Sequence, residues 1–276
     1  MNWKKLQNGS DIRGVALEGI EGEHVNLTPE VIETIAKSFV RWIRNTIDCQ
    51  TPKIAVGTDS RLSGSTIKGA FVKGAVEAGA DVVDCGLAST PAMFMTTVND
   101  EVQATASVMV TASHLPYNRN GLKFFTPKGG LDSSDIAAIL DIAERADYGY
   151  DGAAGSSDRL DFMAIYSRHI ADYICQGVQA DDYQHPLKGM HIVVDAGNGG
   201  GGFFEKILSQ LGADTQGSLF LDPDGRFPNH IPNPENAEAM ASVCRAVADS
   251  NADLGVIFDT DVDRSAIIGR KGEPIN

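Results

Sequence analysis

The sequence predicts an α/β fold of two tandem α/β/α layered domains with mixed, mostly parallel sheets. Three observations carry this. Short apolar runs of strand length alternate with stretches of helical periodicity along the whole chain. The 276 residues correspond to two domains at roughly 100–200 residues each. Between Tyr148 and Ser157 the composition turns to Asp, Gly, Ala and Ser (YGYDGAAGSS), which lacks the apolar periodicity needed to pack. The reading is one domain over 1–150 and a second over 158–276.

The first helix is announced by Thr28-Pro29-Glu30. Thr28 can cap, Pro29 suits the first turn, and Glu30 favours the positive end of the helix. Val31, Ile35, Phe39 and Trp42 recur at helical spacing and predict one core-facing stripe. Residues 53–57 read as a strand, 58–64 as a polar loop, the stretch ending at Gly79 as a helix and 82–85 as a second strand. Thr90-Pro91 opens another helix. Ala106–Val110 reads as a strand, Asn118 to Gly121 as a turn, 122–125 as a further strand and Ser133–Arg145 as a helix. In the second half, Phe162, Ile165, Tyr166, His169, Ile170 and Tyr173 mark a helical face. Residues 192–194 read as a strand, 203–211 and 235–250 as helices, and Leu254–Phe258 as a buried strand.

Composition narrows the partners. Lys and Arg total 23 against 37 Asp and Glu, a net charge of −14, which opposes a broad grip on nucleic acid or an anionic membrane. No apolar run reaches the ~18–20 residues of a membrane span, and MNWKKLQNGSD lacks a signal-peptide core. The expectation is a soluble, cytoplasmic protein. Cys49, Cys85, Cys175 and Cys244 lie far apart without metal-ligand spacing, so they read as reduced, mostly core thiols.

The sharpest chemical signal is Asp259-Thr260-Asp261-Val262-Asp263-Arg264, directly after an apolar strand. Ligands of open α/β sheets gather beyond the carboxyl ends of strands. Three alternating carboxylates repel one another unless a cation sits between them, and a hard divalent ion such as Mg²⁺ meets that need; a solvated acidic turn is the alternative. Thr111-Ala112-Ser113-His114-Leu115-Pro116 also follows an apolar strand. It exposes a serine beside a histidine that can act as cation or general acid, although most such serines only cap or turn. Lys123 returns to the same sheet edge. Arg13 and Arg61 can supply bidentate phosphate contacts or be ordinary surface arginines. Gly197-Asn198-Gly199-Gly200-Gly201-Gly202 formally fits G-x-G-x-x-G with Asp222 beyond, but poly-glycine satisfies that pattern trivially, and a turn into a helix is the preferred reading.

Together these segments resemble the α-D-phosphohexomutase family, which includes phosphoglucomutase, phosphomannomutase and phosphoglucosamine mutase. Residues 111–116 are similar to the family's phosphoserine loop (T-A-S-H-N-P) and 259–264 to its metal loop (D-G-D-G-D-R). Asn120-Gly121-Leu122-Lys123 is similar to the N-G-x-K that follows the serine, and Ser10-Asp11-Ile12-Arg13-Gly14 to the N-terminal phosphate-contacting segment. Asp222-Pro223-Asp224-Gly225-Arg226-Phe227-Pro228 and Pro232-Asn233-Pro234-Glu235 resemble the segment before the metal loop.

The resemblance implies that Ser113 carries the transferable phosphoryl group. It implies that Asp259, Asp261 and Asp263 hold Mg²⁺ with a phosphate oxygen on Ser113, and that Arg13, His114, Lys123 and Arg264 neutralise charge. Phosphate then moves between C1 and C6 of a hexose phosphate through a hexose 1,6-bisphosphate. Leu115 stands where the family has Asn, and Thr260 and Val262 stand where it has glycines; the carboxylate spacing is kept, so the loop geometry is expected to survive. The family has four domains, and the resemblance covers the first two only. Domains III and IV, with the sugar-recognition and phosphate-binding loops, are not seen, so this chain alone is expected to turn over weakly or not at all. Two alternatives remain: a non-catalytic binding fragment that sequesters a partner through its exposed half-cleft, and an aspartate-nucleophile phosphatase built on Phe258 to Val262; uncovered surface of the second domain would also allow self-association.

Overall fold

The computed structural model describes residues 2–275. They form two compact units that divide between Asp161 and Phe162.

In the first unit a 3₁₀ turn (Trp3–Leu6) leads to β1 (Gln7–Asn8), β2 (Asp11–Val15), α1 (Pro29–Ile47), β3 (Lys53–Thr58), α2 (Gly64–Glu77) and β4 (Asp81–Leu87). There follow α3 (Thr90–Met95), β5 (Ala106–Val110), β6 (Arg119–Thr126), β7 (Gly129–Gly130), α4 (Ser133–Arg145) and β8 (Ser157–Arg159). The sheet order is β1-β2-β6-β5-β3-β4-β8, with β7 on β6. Strands β5, β3, β4 and β8 are parallel, and β1, β2 and β6 are added antiparallel.

Helix α1 starts as the sequence predicts: Thr28 Oγ1 accepts from the Val31 amide at 3.4 Å, with Pro29 in the first turn. Its buried face is broader than one stripe. Ile32, Ala36, Val40 and Ile43 are buried beside Ile35, Phe39 and Trp42, while Val31 sits at the margin. The extra width follows from two flanking helices, α2 and α4, which share with α1 the core over Val56, Val108, Leu122 and Phe124. Phe39 packs its ring 4.7 Å from that of Phe124. Helix α3 lies against the other face, where Ser107 Oγ donates to the Met93 carbonyl at 2.6 Å. The expected turn over 118–121 is shorter than predicted. Strand β6 begins at Arg119, and Asn120 and Gly121 pair with Gly14 and Arg13 of β2, a strand that local sequence did not announce. The polar segment 148–157 packs on this unit: Tyr150 lies under the Arg44 guanidinium, 4.0 Å from the ring centroid, and Ser156 bonds Asp81 and Val82.

The second unit contains α5 (Phe162–Val178), β9 (Ile192–Asp195), α6 (Gly202–Gln210), α7 (Ala237–Ser250), β10 (Leu254–Phe258), β11 (Ser265–Gly269) and β12 (Pro274–Ile275). Its sheet order is β12-β11-β10-β9, with β9 and β10 parallel and the rest antiparallel. Alternation along the central strands builds two cores. Ile192, Val194, Val256 and Phe258 meet α5 and α6 on one side, whereas Val193 and Ile257 meet α7 on the other. Tyr173 does not join the packed face of α5 and is 68% exposed, because the stripe runs on through Ala171, Ile174 and Cys175. Helix α7 starts at Ala237 rather than 235, since the Asn236 side chain accepts from the amides of Glu238 and Ala239 at 3.0 and 3.1 Å. The outer edge of β9 is covered by 214–219: the Ile192 amide donates to Asp214 O, the Val194 amide to Ser218 Oγ, and the Leu219 amide to Val194 O.

All four cysteines are free thiols, two buried and two half-buried. Among the described residues no helix is long and apolar enough to cross a membrane.

Candidate active site

Ser113 lies just past the carboxyl end of β5, where backbone amides are no longer committed to the ladder. It is buried, against the exposure expected of a serine in such a loop, and takes a left-handed conformation, φ 54°, which costs a non-glycine residue about 1–2 kcal/mol. The strain is held by a buried cluster. Thr111 Oγ1 accepts from the Ser113 amide at 2.8 Å and donates to Asp59 Oδ2 at 2.7 Å. Ser113 Oγ is 3.4 Å from His114 Nδ1. Arg13 reaches the same loop from β2, donating to the Ala112 carbonyl at 3.4 Å while Asp11 holds its guanidinium at 2.8 Å. Lys123 occupies β6 opposite Met109, one pair before the end of β5. The structure therefore brings Ser113, His114 and Arg13 together and places Lys123 at the adjoining strand position.

Arg61 corrects the sequence reading. It is neither a surface arginine nor a spare phosphate contact: its guanidinium is buried and donates to backbone carbonyls of 113–119. Asn120, read as a turn residue, is buried and donates to Ser63 Oγ at 2.9 Å.

In the second unit, β10 delivers the acidic loop. One carboxylate oxygen from each of Asp259, Asp261 and Asp263 lies within 4.8 Å of the others, with Asp259 and Asp261 buried and Asp263 exposed. Burial, then the charges of Asp261 and Asp263, push the Asp259 carboxyl up to about 7 against the pull of Arg264. Arg264 donates to Asp259 Oδ2 through Nε and Nη2 at 3.1 and 2.8 Å, and its amide donates to Asp259 Oδ1 at 3.1 Å. Its third nitrogen reaches Asn233 Oδ1 at 3.2 Å. Such an all-oxygen donor set, kept half-buried beside one balancing cation, fits a hard divalent ion.

The glycine cluster serves this loop. Gly199 lies so close that a Cβ there would sit 2.8 Å from Thr260 O, and the Gly200 amide donates to that oxygen at 2.8 Å. Val262 takes φ 66°, the left-handed turn that a glycine would enter freely. One buried pair was missed in the sequence. His230 Nε2 lies 3.0 Å from Asp195 Oδ2, at the end of β9, and its Nδ1 lies 3.0 Å from Ile231 O. A lone Asp closing an apolar strand and a His within a Pro-Asn run were its signals.

A family model described as "Phosphoglucomutase/phosphomannomutase, alpha/beta/alpha domain I" matches residues 4–149, and its domain II counterpart matches 165–272. The chain belongs to the phosphoglucomutase/phosphomannomutase family. A phosphoglucomutase of Neisseria meningitidis serogroup B is 31% identical over 96% of this chain and 53% of its own length. A phosphomannomutase/phosphoglucomutase of Pseudomonas aeruginosa is 30% identical over 87% of this chain and 50% of its own. A crystal structure of a phosphoglucomutase/phosphomannomutase family protein from Burkholderia thailandensis superposes with TM-score 0.80 at 27% identity, covering 97% of this chain and 55% of that one. The chain thus spans about half the length of the curated relatives it matches. Within the phosphoglucomutase/phosphomannomutase family frame, the first unit presents domain I with the Ser113 loop, and the second presents domain II with the acidic loop.

Proposed function

We propose that the chain carries the phosphoserine and metal loops of a phosphohexomutase of the phosphomannomutase/phosphoglucomutase type, with Ser113 as the phosphoryl carrier and with little turnover by these two domains alone. The observation that carries the reading is the strained, buried Ser113 at a strand's carboxyl end, with His114 and Arg13 at the same loop. In the forward half-reaction the Ser113 Oγ–P bond forms as the sugar O–P bond breaks. The serine proton leaves as that bond forms, His114 Nδ1, 3.4 Å away, is placed to take it, and the released sugar oxygen takes up a proton to become a hydroxyl. Arg13 and Lys123 lower the charge that gathers on the phosphoryl oxygens. Phospho-Ser113 then gives its group to the free C1 or C6 hydroxyl of a hexose monophosphate, forming the 1,6-bisphosphate, and Ser113 takes back the other phosphoryl group, so that phosphate moves between C1 and C6.

Asp259, Asp261 and Asp263 would hold Mg²⁺, which when bound supplies positive charge for phosphoryl oxygens. Arg264 braces this set by holding Asp259. The substrate class is a hexose phosphate, and the few arginines near these loops supply positive potential that a chain of net charge −14 lacks elsewhere.

The test is to treat the full chain with glucose 1,6-bisphosphate and Mg²⁺ and map the phosphate by mass spectrometry. The expected result is a hydroxylamine-stable phosphate on Ser113, absent from Ser113→Ala. A hydroxylamine-labile phosphate on Asp259 would overturn this assignment in favour of aspartyl chemistry, and an unlabelled chain would end it as well.

A further inference from the structure

Loop 111–119 passes through a strained residue, Ser113 at φ 54°, so something must hold its backbone. The holding group comes from the end of β3. Asp59 Oδ1 accepts from the Arg61 amide at 2.9 Å, a tight turn that sends the Arg61 side chain beneath the loop. Asp59 Oδ2 lies 3.3 Å from Arg61 Nε, with both side chains fully buried. The two remaining guanidinium nitrogens each serve two carbonyls. Nη1 donates to Pro116 O at 2.7 Å and Arg119 O at 3.0 Å, while Nη2 donates to Ser113 O and to Leu115 O at 2.6 Å. The same Asp59 receives the Thr111 hydroxyl, which in turn accepts from the Ser113 amide. Both backbone polar atoms of Ser113 are therefore tied to one ion pair: its carbonyl directly to Arg61, its amide through Thr111 to Asp59.

We propose that Arg61 is a positioning residue of the phosphoryl-carrying loop, its buried fork clamping four carbonyls so that Ser113 stays in the left-handed conformation that presents its hydroxyl. The proposal rests on the reading of Ser113 as the phosphoryl carrier. Its charge is balanced by Asp59, so the contribution is geometric. A planar guanidinium can bind four carbonyls at once, whereas the single ammonium of a lysine carries three donors on one atom and cannot span them. A misplacement of about 1 Å at a reacting group costs about 100-fold in rate.

Two variants test it. Arg61→Lys keeps the charge opposite Asp59 and loses the fork. D59N/R61M removes both charges, so no unpaired carboxylate stays buried. Each is examined for thermal unfolding, for amide exchange over 111–119, and for the rate of Ser113 labelling by glucose 1,6-bisphosphate across a concentration series. The expected result is a fold retained in at least R61K, with exchange accelerated in 111–119 and unchanged in α1. The maximal labelling rate falls about 100-fold, while the half-saturating bisphosphate concentration holds within about twofold. Wild-type exchange and wild-type maximal rate in a folded variant would overturn the proposal. An unlabelled wild-type chain would instead overturn the reading of Ser113; slow exchange over 111–119 in the variants would then still sink the clamp on its own.

Discussion

Val262 turns the acidic loop at φ 66° with a branched side chain. Replacing it with glycine relieves about 1–2 kcal/mol of backbone strain, but costs about 0.5–1 kcal/mol in chain entropy and about 1 kcal/mol of half-buried apolar contact. The opposing effects predict that Val262→Gly shifts the unfolding free energy of the second unit by under about 1 kcal/mol, read by denaturant titration. Asp261→Asn acts differently. It removes the like charge that helps push Asp259 up, so the metal-free protein melts higher, while Mg²⁺ affinity by calorimetry drops at least about tenfold. His230 carries a pH signature. Burial alone would lower its pKa, but the hydrogen bond and charge of Asp195 and the Ile231 carbonyl outweigh it, and the net shift is upward. A group raised on folding stabilises fully below its unfolded value, near 6.5, and that contribution is lost as pH rises through the folded value. The stability gap between wild type and His230→Gln should therefore narrow as pH climbs above about 6.5; a gap constant from pH 5.5 to 9 would rule out a protonated His230.

At the scale of elements, the seating of one loop on another decides the second unit. A methyl at position 199 would enter the space of the Thr260 backbone, which has no flexible end to move aside. Gly199→Ala is expected to cost about 1–3 kcal/mol and to weaken Mg²⁺ binding with it, checked by thermal melts with and without the ion. The same scale explains what the sequence made legible. Strands β3, β5 and β10 are buried on both faces along most of their length and are largely apolar, so they were visible locally. Strand β2 (DIRGV) carries Asp, Arg and Gly, and its pairing with β6 and β1, not its own pattern, makes it a strand. The acidic triad was visible because its ligands are neighbours in the chain. The clamp beneath Ser113 was not, since Arg61 meets carbonyls 52 to 58 positions away, and no local pattern encodes that distance.

For the molecule as a whole, each unit has its own apolar core: one drawn from residues 6–140, the others from 175–268. Residues 1–161 and 162–276, expressed separately, should each unfold cooperatively by calorimetry. Saturating Mg²⁺ at about 100 times its Kd should stabilise the second fragment by about 2.7 kcal/mol and leave the first unmoved. A shift in the first fragment would place the ion elsewhere.

The cover on the outer edge of β9 matters for how the protein behaves in a crowded solution. An apolar strand such as Ile192–Asp195, left with open amides, would be a template for another chain's β-strand and a seed for fibrils. Because Asp214 and Ser218 already accept from the Ile192 and Val194 amides, and the Leu219 amide donates to the Val194 carbonyl, the second unit has no such template on that side. Its flank is closed to polymerisation from within its own sequence.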